Sequence, residues 1–438
     1  VAAWNIVVVG AALVCFAAVS NRLRGTALTM PIVFVGLGAL TALTGVVTLS
    51  QAVDVVALLA EITLAVILFS DATRLSLPRL QHTVALPARL LGIGLPLTVA
   101  FGSAVALLLF PEWPLAEVVL LAAVLAPTDA ALGSAVVADP GVPARDRLAL
   151  NVESGLNDGL VVPVVAVTVS RVIGESRSVG EWVTFVVSQI GGGIALGLVA
   201  GVGGIILLRR AHRASWSDGR YEQIATVALP VVAFAAAEAV GANGFIAAFV
   251  GGLGFGSGGP RRLVGGDRPA LDDDMAGPDE AEHLAEFTED AAELLAAVTF
   301  FVFGNLFIDE AISAITPRVV IAALASLTVV RMVPVAVALI GSGCDRAARL
   351  FIGWFGPRGL ASIVFAILLL EELEEMTETA NQLVGTISVT VFASVLLHGV
   401  TAAAGARAYG ARQPVSRPEE IDPAMMPRVR SAPSRERG

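Results

Sequence analysis

Ala126-Pro127-Thr128-Asp129 cuts short the apolar run Val118-Val119-Leu120-Leu121-Ala122-Ala123-Val124-Leu125. A proline has no amide hydrogen to donate and its ring clashes with the preceding turn, so a helix entering this stretch breaks there. An acid follows the break at once. About two dozen residues on, Glu153-Ser154-Gly155-Leu156-Asn157-Asp158 places two more acids in another apolar run. A carboxylate at the centre of a bilayer costs roughly 2.5 to 3.5 kcal/mol on insertion scales, and intramembrane acids of this kind line a substrate or proton path. The two stretches therefore predict ion transport.

The rest of the chain supplies the membrane. Its 438 residues are 56% hydrophobic and only 15% charged, with a mean hydropathy of +0.80, far too apolar for an ordinary soluble domain. A spanning helix needs about 20 apolar residues. Thirteen candidate spans begin near positions 4, 30, 52, 84, 115, 148, 182, 221, 242, 291, 311, 349 and 381. Gly241-Ala242-Asn243-Gly244 separates two of them that otherwise read as one. The expected fold is an all-α polytopic membrane protein.

A second break, Gly356-Pro357-Arg358-Gly359, lies in the twelfth candidate span, as Pro127-Thr128-Asp129 lies in the fifth. These positions correspond if two groups of six spans are joined by the seventh. Such groups have opposite orientations, so the pattern predicts inverted six-helix repeats whose two broken helices cross near the midplane and present free carbonyls and amides.

All 28 basic residues are arginine. With the amino terminus outside, the inner side carries Arg22, Arg24, Arg74, Arg79, Arg145, Arg147, Arg209, Arg210 and most of the others, while the outer side carries Arg171, Arg177 and Arg318. The bias predicts an outside amino terminus and a cytoplasmic carboxyl terminus in a cell membrane. The net charge of −10 arises mainly in loops and reads as a solvated surface; nothing in it suggests nucleic-acid binding. Cys15 and Cys344 lie in different regions, so no disulfide is expected. The first apolar run lacks a basic leader and reads as a mature helix. Connections are short except for 258–290 and the Pro- and Arg-rich 408–438, expected to be a short disordered cytoplasmic tail. The transport unit is thus expected within 1–407.

On a helix, Glu153, Ser154, Asn157 and Asp158 fall within a roughly 140° arc. Thr128 and Asp129 are plausible neighbours from the broken span. Together they offer hard oxygen ligands suited to a small cation such as Na+. A carboxylate withdrawn from water also holds its proton more tightly. One group can then take a proton at low pH and a cation at higher pH, which couples opposite fluxes; Asp158 is assigned this role, against the alternative of a satisfied structural acid. Arg331 lies too deep in its apolar run to reach water and needs an acid, with Glu153 the candidate. That pair could be structural or gating. Arg358 is expected to hold helix carbonyls or an acid. Glu61, Glu238, Asn243 and His398 are weaker signals; a lone His such as His398 reads as packing, and Glu238 as a helix-end acid or part of an outer funnel. No Cys/His cluster or phosphate loop suggests a cofactor. Two alternatives remain open: a passive cation channel, and an intramembrane hydrolase using Asp158 with Asp129 or Ser154 with His398.

At these residues the sequence resembles the monovalent cation:proton antiporters of the NhaP type, relatives of the eukaryotic sodium/proton exchangers. The resemblance is carried by Pro127-Thr128-Asp129, by Glu153, Ser154, Asn157 and Asp158, by Arg331, and by Gly356-Pro357-Arg358-Gly359. Phe69-Ser70-Asp71-Ala72, Gly244-Phe245-Ile246-Ala247-Ala248 and His398-Gly399 extend it along the chain. It implies a thirteen-helix antiporter fold and an elevator-type mechanism. Core helices would include about 84–172 and 311–407, and dimerisation helices about 4–50 and 182–259 of a homodimer. It implies that Asp158 binds cation or proton, helped by Thr128, Asp129, Glu153 and Ser154, and that Arg331 pairs with Glu153. Asn157-Asp158 in place of two adjacent aspartates resembles the electroneutral branch. Ala130, where many relatives have proline, departs from the pattern.

Overall fold

The computed structural model describes residues 2–23, 26–47, 49, 53–73, 75, 85–129, 131–133, 136, 139–174, 178–257, 278–372 and 378–412. Over these the chain is all helix: α1 Ala2–Leu23, α2 Met30–Leu43, α3 Val53–Thr73, α4 Ala85–Leu109, α5 Leu115–Val124, α6 Ala144–Val172 and α7 Val179–Arg213 come first. Then follow α8 Gly219–Ala239, α9 Gly244–Gly256, α10 Pro278–Ala314, α11 Pro317–Ala338, α12 Arg346–Trp354, α13 Leu360–Glu372 and α14 Glu378–Gly410. Eight are long and apolar enough to cross a membrane, and five shorter ones are apolar. With α12 and α13 as the halves of one broken span, thirteen spans result, in the order expected.

Local chemistry sets the boundaries. Ser178 and Glu181 form a reciprocal cap at the start of α7. The side chains of Asn243, Thr316 and Asp345 accept from the first-turn amides of α9, α11 and α12. Helix α4 widens into a π turn over Leu90–Gly94, just before Pro96, which has no amide to continue the ladder. Helix α11 breaks at Thr328 and resumes at Val329, with Pro334 inside the second segment.

Two boundaries differ from the sequence reading. The long connection placed at 258–290 is helical from Pro278 onward, because α10 extends well beyond its apolar part; residues 258–277 lie outside the described residues. At the other end α14 continues to Gly410 rather than stopping before 408, and 413–438 lie outside the described residues.

The helices pack in two groups. Helices α2 and α3 lie on α10, and α9 is held between α7, α8 and α3. In the other group α4 packs on α5 and α11, α5 on α6, and α14 on α11, α12 and α13. The groups meet where α14 touches α10, α13 touches α3 and α6 touches α9. At that last contact the ring of Phe249 lies against Gly155, where a Cβ would come within 2.2 Å of it. The neighbour that Gly155 admits is thus the ring of Phe249.

Candidate functional site

The two breaks, 125–129 and 355–359, cross and hold each other. A helix that ends inside the protein leaves carbonyls free, and one that starts there leaves amides free. Here each set finds a partner of the right charge. Arg358 Nη1 donates to Ala126 O at 2.6 Å and Pro127 O at 3.1 Å, and Ser362 Oγ donates to Val124 O at 2.8 Å. At the start of α13, Leu360 N donates to Asp129 Oδ2 at 2.8 Å, while Asp129 N donates to Pro357 O at 2.8 Å. Asp129 Oδ1 accepts from Ala131 N at 2.7 Å. A cation therefore sits at the carboxyl end of one half-helix and an acid at the amino end of the other, as the helix dipoles favour. Gly359 makes this possible: a Cβ there would lie 1.9 Å from Asp129 Oδ2.

Helix α6 crosses beside this point. Asn157 Nδ2 donates to Thr128 Oγ1 at 2.8 Å, tying α6 to the first break. Ser154 Oγ donates to Leu150 O at 3.0 Å and to Asn151 O at 3.2 Å, which leaves its lone pairs free. Arg331 grips Glu153 with both ends of its guanidinium, at 2.5 Å and 2.7 Å. Both side chains are 2% exposed. Asp158 is 3% exposed, and its Oδ1 has no hydrogen-bond partner. Asp129 and Asp71 are acids in its neighbourhood.

Thr128, Asp129 and Ser154 line one cavity with Gly133, Val136, Leu150, Phe355 and Pro357. Its volume of about 10 Å³ gives room for one water-sized occupant. Asp158 is not part of this wall, and Glu153 is engaged by Arg331. Of the residues singled out from sequence, the structure thus gathers Thr128, Asp129 and Ser154 at the cavity, and sets Asn157 and Arg358 as ties between helices. A small cation could find oxygen donors in Thr128, Ser154 and the Asp129 and Asp158 carboxylates.

The weaker candidates have structural partners. His398 Nε2 lies 3.0 Å from Trp354 O and its Nδ1 3.1 Å from Ser394 O. Asn243 caps α9 and reaches Gly159 O of α6 at 3.3 Å, while Glu238 accepts from Gly244 N at 2.8 Å. Cys15 and Cys344 are free thiols. Ala130 lies outside the described residues. The sequence reading gave no role to three residues: Asp71, a third acid near Asp158; Ser362; and Ser394, whose hydroxyl accepts from Arg358 N at 2.7 Å. Asp71, within Phe69-Ser70-Asp71-Ala72, carried a readable signal; serines in apolar helices carry none.

The family model described as "Sodium/hydrogen exchanger, transmembrane" matches residues 9–406. The chain belongs to the sodium/hydrogen exchanger family. The matched stretch contains both breaks, Asp158 and Arg331, so the candidate site falls wholly within it. A curated relative is the K(+)/H(+) antiporter NhaP of Alkalimonas amylolytica, 26% identical over 317 residues, or 71% of this chain and 50% of that protein. The chain spans about half the length of that curated relative. Among solved structures it is similar to the sodium proton antiporter MjNhaP1 from Methanocaldococcus jannaschii at pH 8. The TM-score is 0.74 at 20% identity, over 93% of this chain and 98% of that one. A structure of the same antiporter from an electron-microscopy map gives a TM-score of 0.72 at 20% identity, over 95% and 98% of the two chains. The chain therefore has the antiporter fold and is a multi-pass membrane protein.

Proposed function

We propose that this exchanger-family chain is an electroneutral antiporter that moves Na+, or a similar small monovalent cation, against H+, with Asp158 as the exchange group. The observation that carries the reading is a buried Asp158 with an unpartnered carboxylate oxygen, one helical turn along α6 from Ser154, which lines a one-water cavity with Thr128 and Asp129. Glu153 is neutralised by Arg331, and Asp129 accepts from two backbone amides. Asp158 is then the site acid whose charge is left to be balanced by either a proton or a cation. Competition for one group gives one-for-one exchange without a second site.

The division of packing supports an elevator-type cycle. The core unit, about 84–172 and 311–407, carries every proposed ligand and would slide past a unit that includes about 4–50 and 182–259 and dimerises with a second copy. The transport domain expected within 1–407 would extend to Gly410, where α14 ends, with the amino terminus outside and the carboxyl terminus cytoplasmic. The physiological role would be pH and sodium homeostasis.

Neither alternative is favoured. Thr128, Asp129, Ser154 and Asp158 are each less than a tenth exposed, whereas a passive channel needs a continuous wet path. Ser154 Oγ bonds to carbonyls of its own helix and His398 lies against Trp354 and Ser394, so the hydrolase pairing lacks a nucleophile–base contact.

The test is reconstitution in vesicles. Sodium added on one side should drive protons out towards that same side, and Asp158→Asn should abolish this movement. Normal exchange by that variant would overturn the assignment.

A further inference from the structure

The site cavity has a wall that the exchange chemistry does not use. Val136, Leu150 and Phe355 belong to an apolar cluster separate from the main core, together with Cys344, Ala348, Phe351, Ala406 and Tyr409. This cluster runs from the cavity wall to the helix ends where α6 begins and α14 finishes. Its far end is tied by a polar contact: Tyr409 Oη donates to Asp146 Oδ2 at 2.7 Å. Both residues are buried, at 6% and 5% exposure, in a cluster otherwise almost wholly apolar. From Tyr409 a row of rings leads back to the cavity. Tyr409 stacks on Phe351 with centroids 4.1 Å apart, and Phe351 meets Phe355 at 4.8 Å. Phe355 is itself cavity wall.

The surrounding backbone is pinned in the same place. Arg89 Nη1 donates to Ile340 O at 2.6 Å, and Arg145 Nη2 donates to Ser342 O at 2.7 Å. Gly141 and Gly410 lie back to back, where a Cβ on Gly410 would come within 2.8 Å of Gly141 O.

All these elements belong to the group of helices that carries the ligands. A route along the α6 ridge Asp146, Leu150, Ser154, Asp158 would reach the site through the body of that group, without any sliding. Ions taking such a route would run down their gradients uncoupled. We propose that Asp146 and Tyr409, acting through Phe351 and Phe355, form a seal that closes this rear path to the exchange site. Both are positioning residues: neither touches the cation, and their hydrogen bond holds the aromatic row against the cavity. The inference rests on the reading that the cavity belongs to the ion path.

The test uses thiol access, which does not depend on exchange. In a full-length chain with Cys15→Ser and Cys344→Ser, Val136→Cys places a single thiol in the cavity wall. A small membrane-impermeant thiol reagent is added on the face where α14 ends, in vesicles. Losing one buried hydrogen bond to a carboxylate shifts an open–closed equilibrium by about tenfold. Tyr409→Phe should therefore speed labelling about tenfold, and the same variant without the introduced thiol should dissipate an imposed pH gradient faster than the parent in the absence of Na+. If Tyr409→Phe folds poorly, Asp146→Asn, which keeps an acceptor for the phenol, should show a smaller increase of the same sign. Unchanged labelling together with an unchanged gradient would overturn the seal, as would a fall in thermal stability with no change in either. A parent that does not exchange ions would instead overturn the function proposed above.

Discussion

Arg331 and Glu153 illustrate what a buried charge demands of its neighbours. The guanidinium enters where α11 breaks at Thr328, and it meets a carboxylate 178 positions earlier in the chain in a two-pronged contact. Removing one partner of such a pair costs about 3 to 5 kcal/mol, because the other is left charged and unsatisfied. Arg331→Ala is accordingly expected to lower the thermal unfolding temperature of the detergent-solubilised protein sharply, with apparent cation affinity little changed in whatever folds. A stable variant with only an affinity defect would contradict the structural role. The need for this pair was legible in the sequence, since an arginine in Thr328-Val329-Val330-Arg331-Met332-Val333 has no way to water. The occupation of Asp129 was not. Its partner Leu360 N lies 231 positions away, and only the crossing angle of the two broken helices brings that amide to it.

At the level of elements, the crossing depends on two half-helices approaching more closely than side chains permit. Gly359 lies where a Cβ would meet Asp129 Oδ2, and Gly356 where one would come within 2.4 Å of Arg331 Nε. Gly359→Ala must displace either the carboxylate or the start of α13, so the cap on Leu360 N is lost. An unsatisfied buried group costs about 1 to 3 kcal/mol. The expected outcome is lower thermal stability together with lost sodium-driven proton movement, measured on the same preparation; wild-type stability and exchange would show that the crossing tolerates a wider gap. The breaks themselves could be read from Pro127 beside an acid and from Pro357 between glycines; proline alone does not suffice, since Pro163, Pro230 and Pro334 lie inside helices. The start of α10 was missed for an opposite reason. Hydropathy marks where a helix enters a membrane, and Pro278-Asp279-Glu280 is too polar to register, although proline and acids in a first turn are chemically a helix start.

In the whole molecule, the thirteen spans, their order and their two interruptions follow from apolar length and proline placement, and both are local properties of the sequence. The cavity is not local. It exists because α5, α6 and the break between α12 and α13 leave a one-water gap among Thr128, Asp129, Ser154 and Phe355, and no pattern along one segment encodes a gap among several. The central claim is that this gap and Asp158 together form one site for which a proton and a cation compete. Protonation removes the negative charge that holds the cation, so cation binding should weaken as pH falls. The direct measurement is the apparent cation affinity of the reconstituted protein across a pH series. With one proton displaced per cation, that affinity should fall by about tenfold per pH unit on the acid side of the competition range. An affinity that stays constant with pH while exchange continues would contradict a shared site.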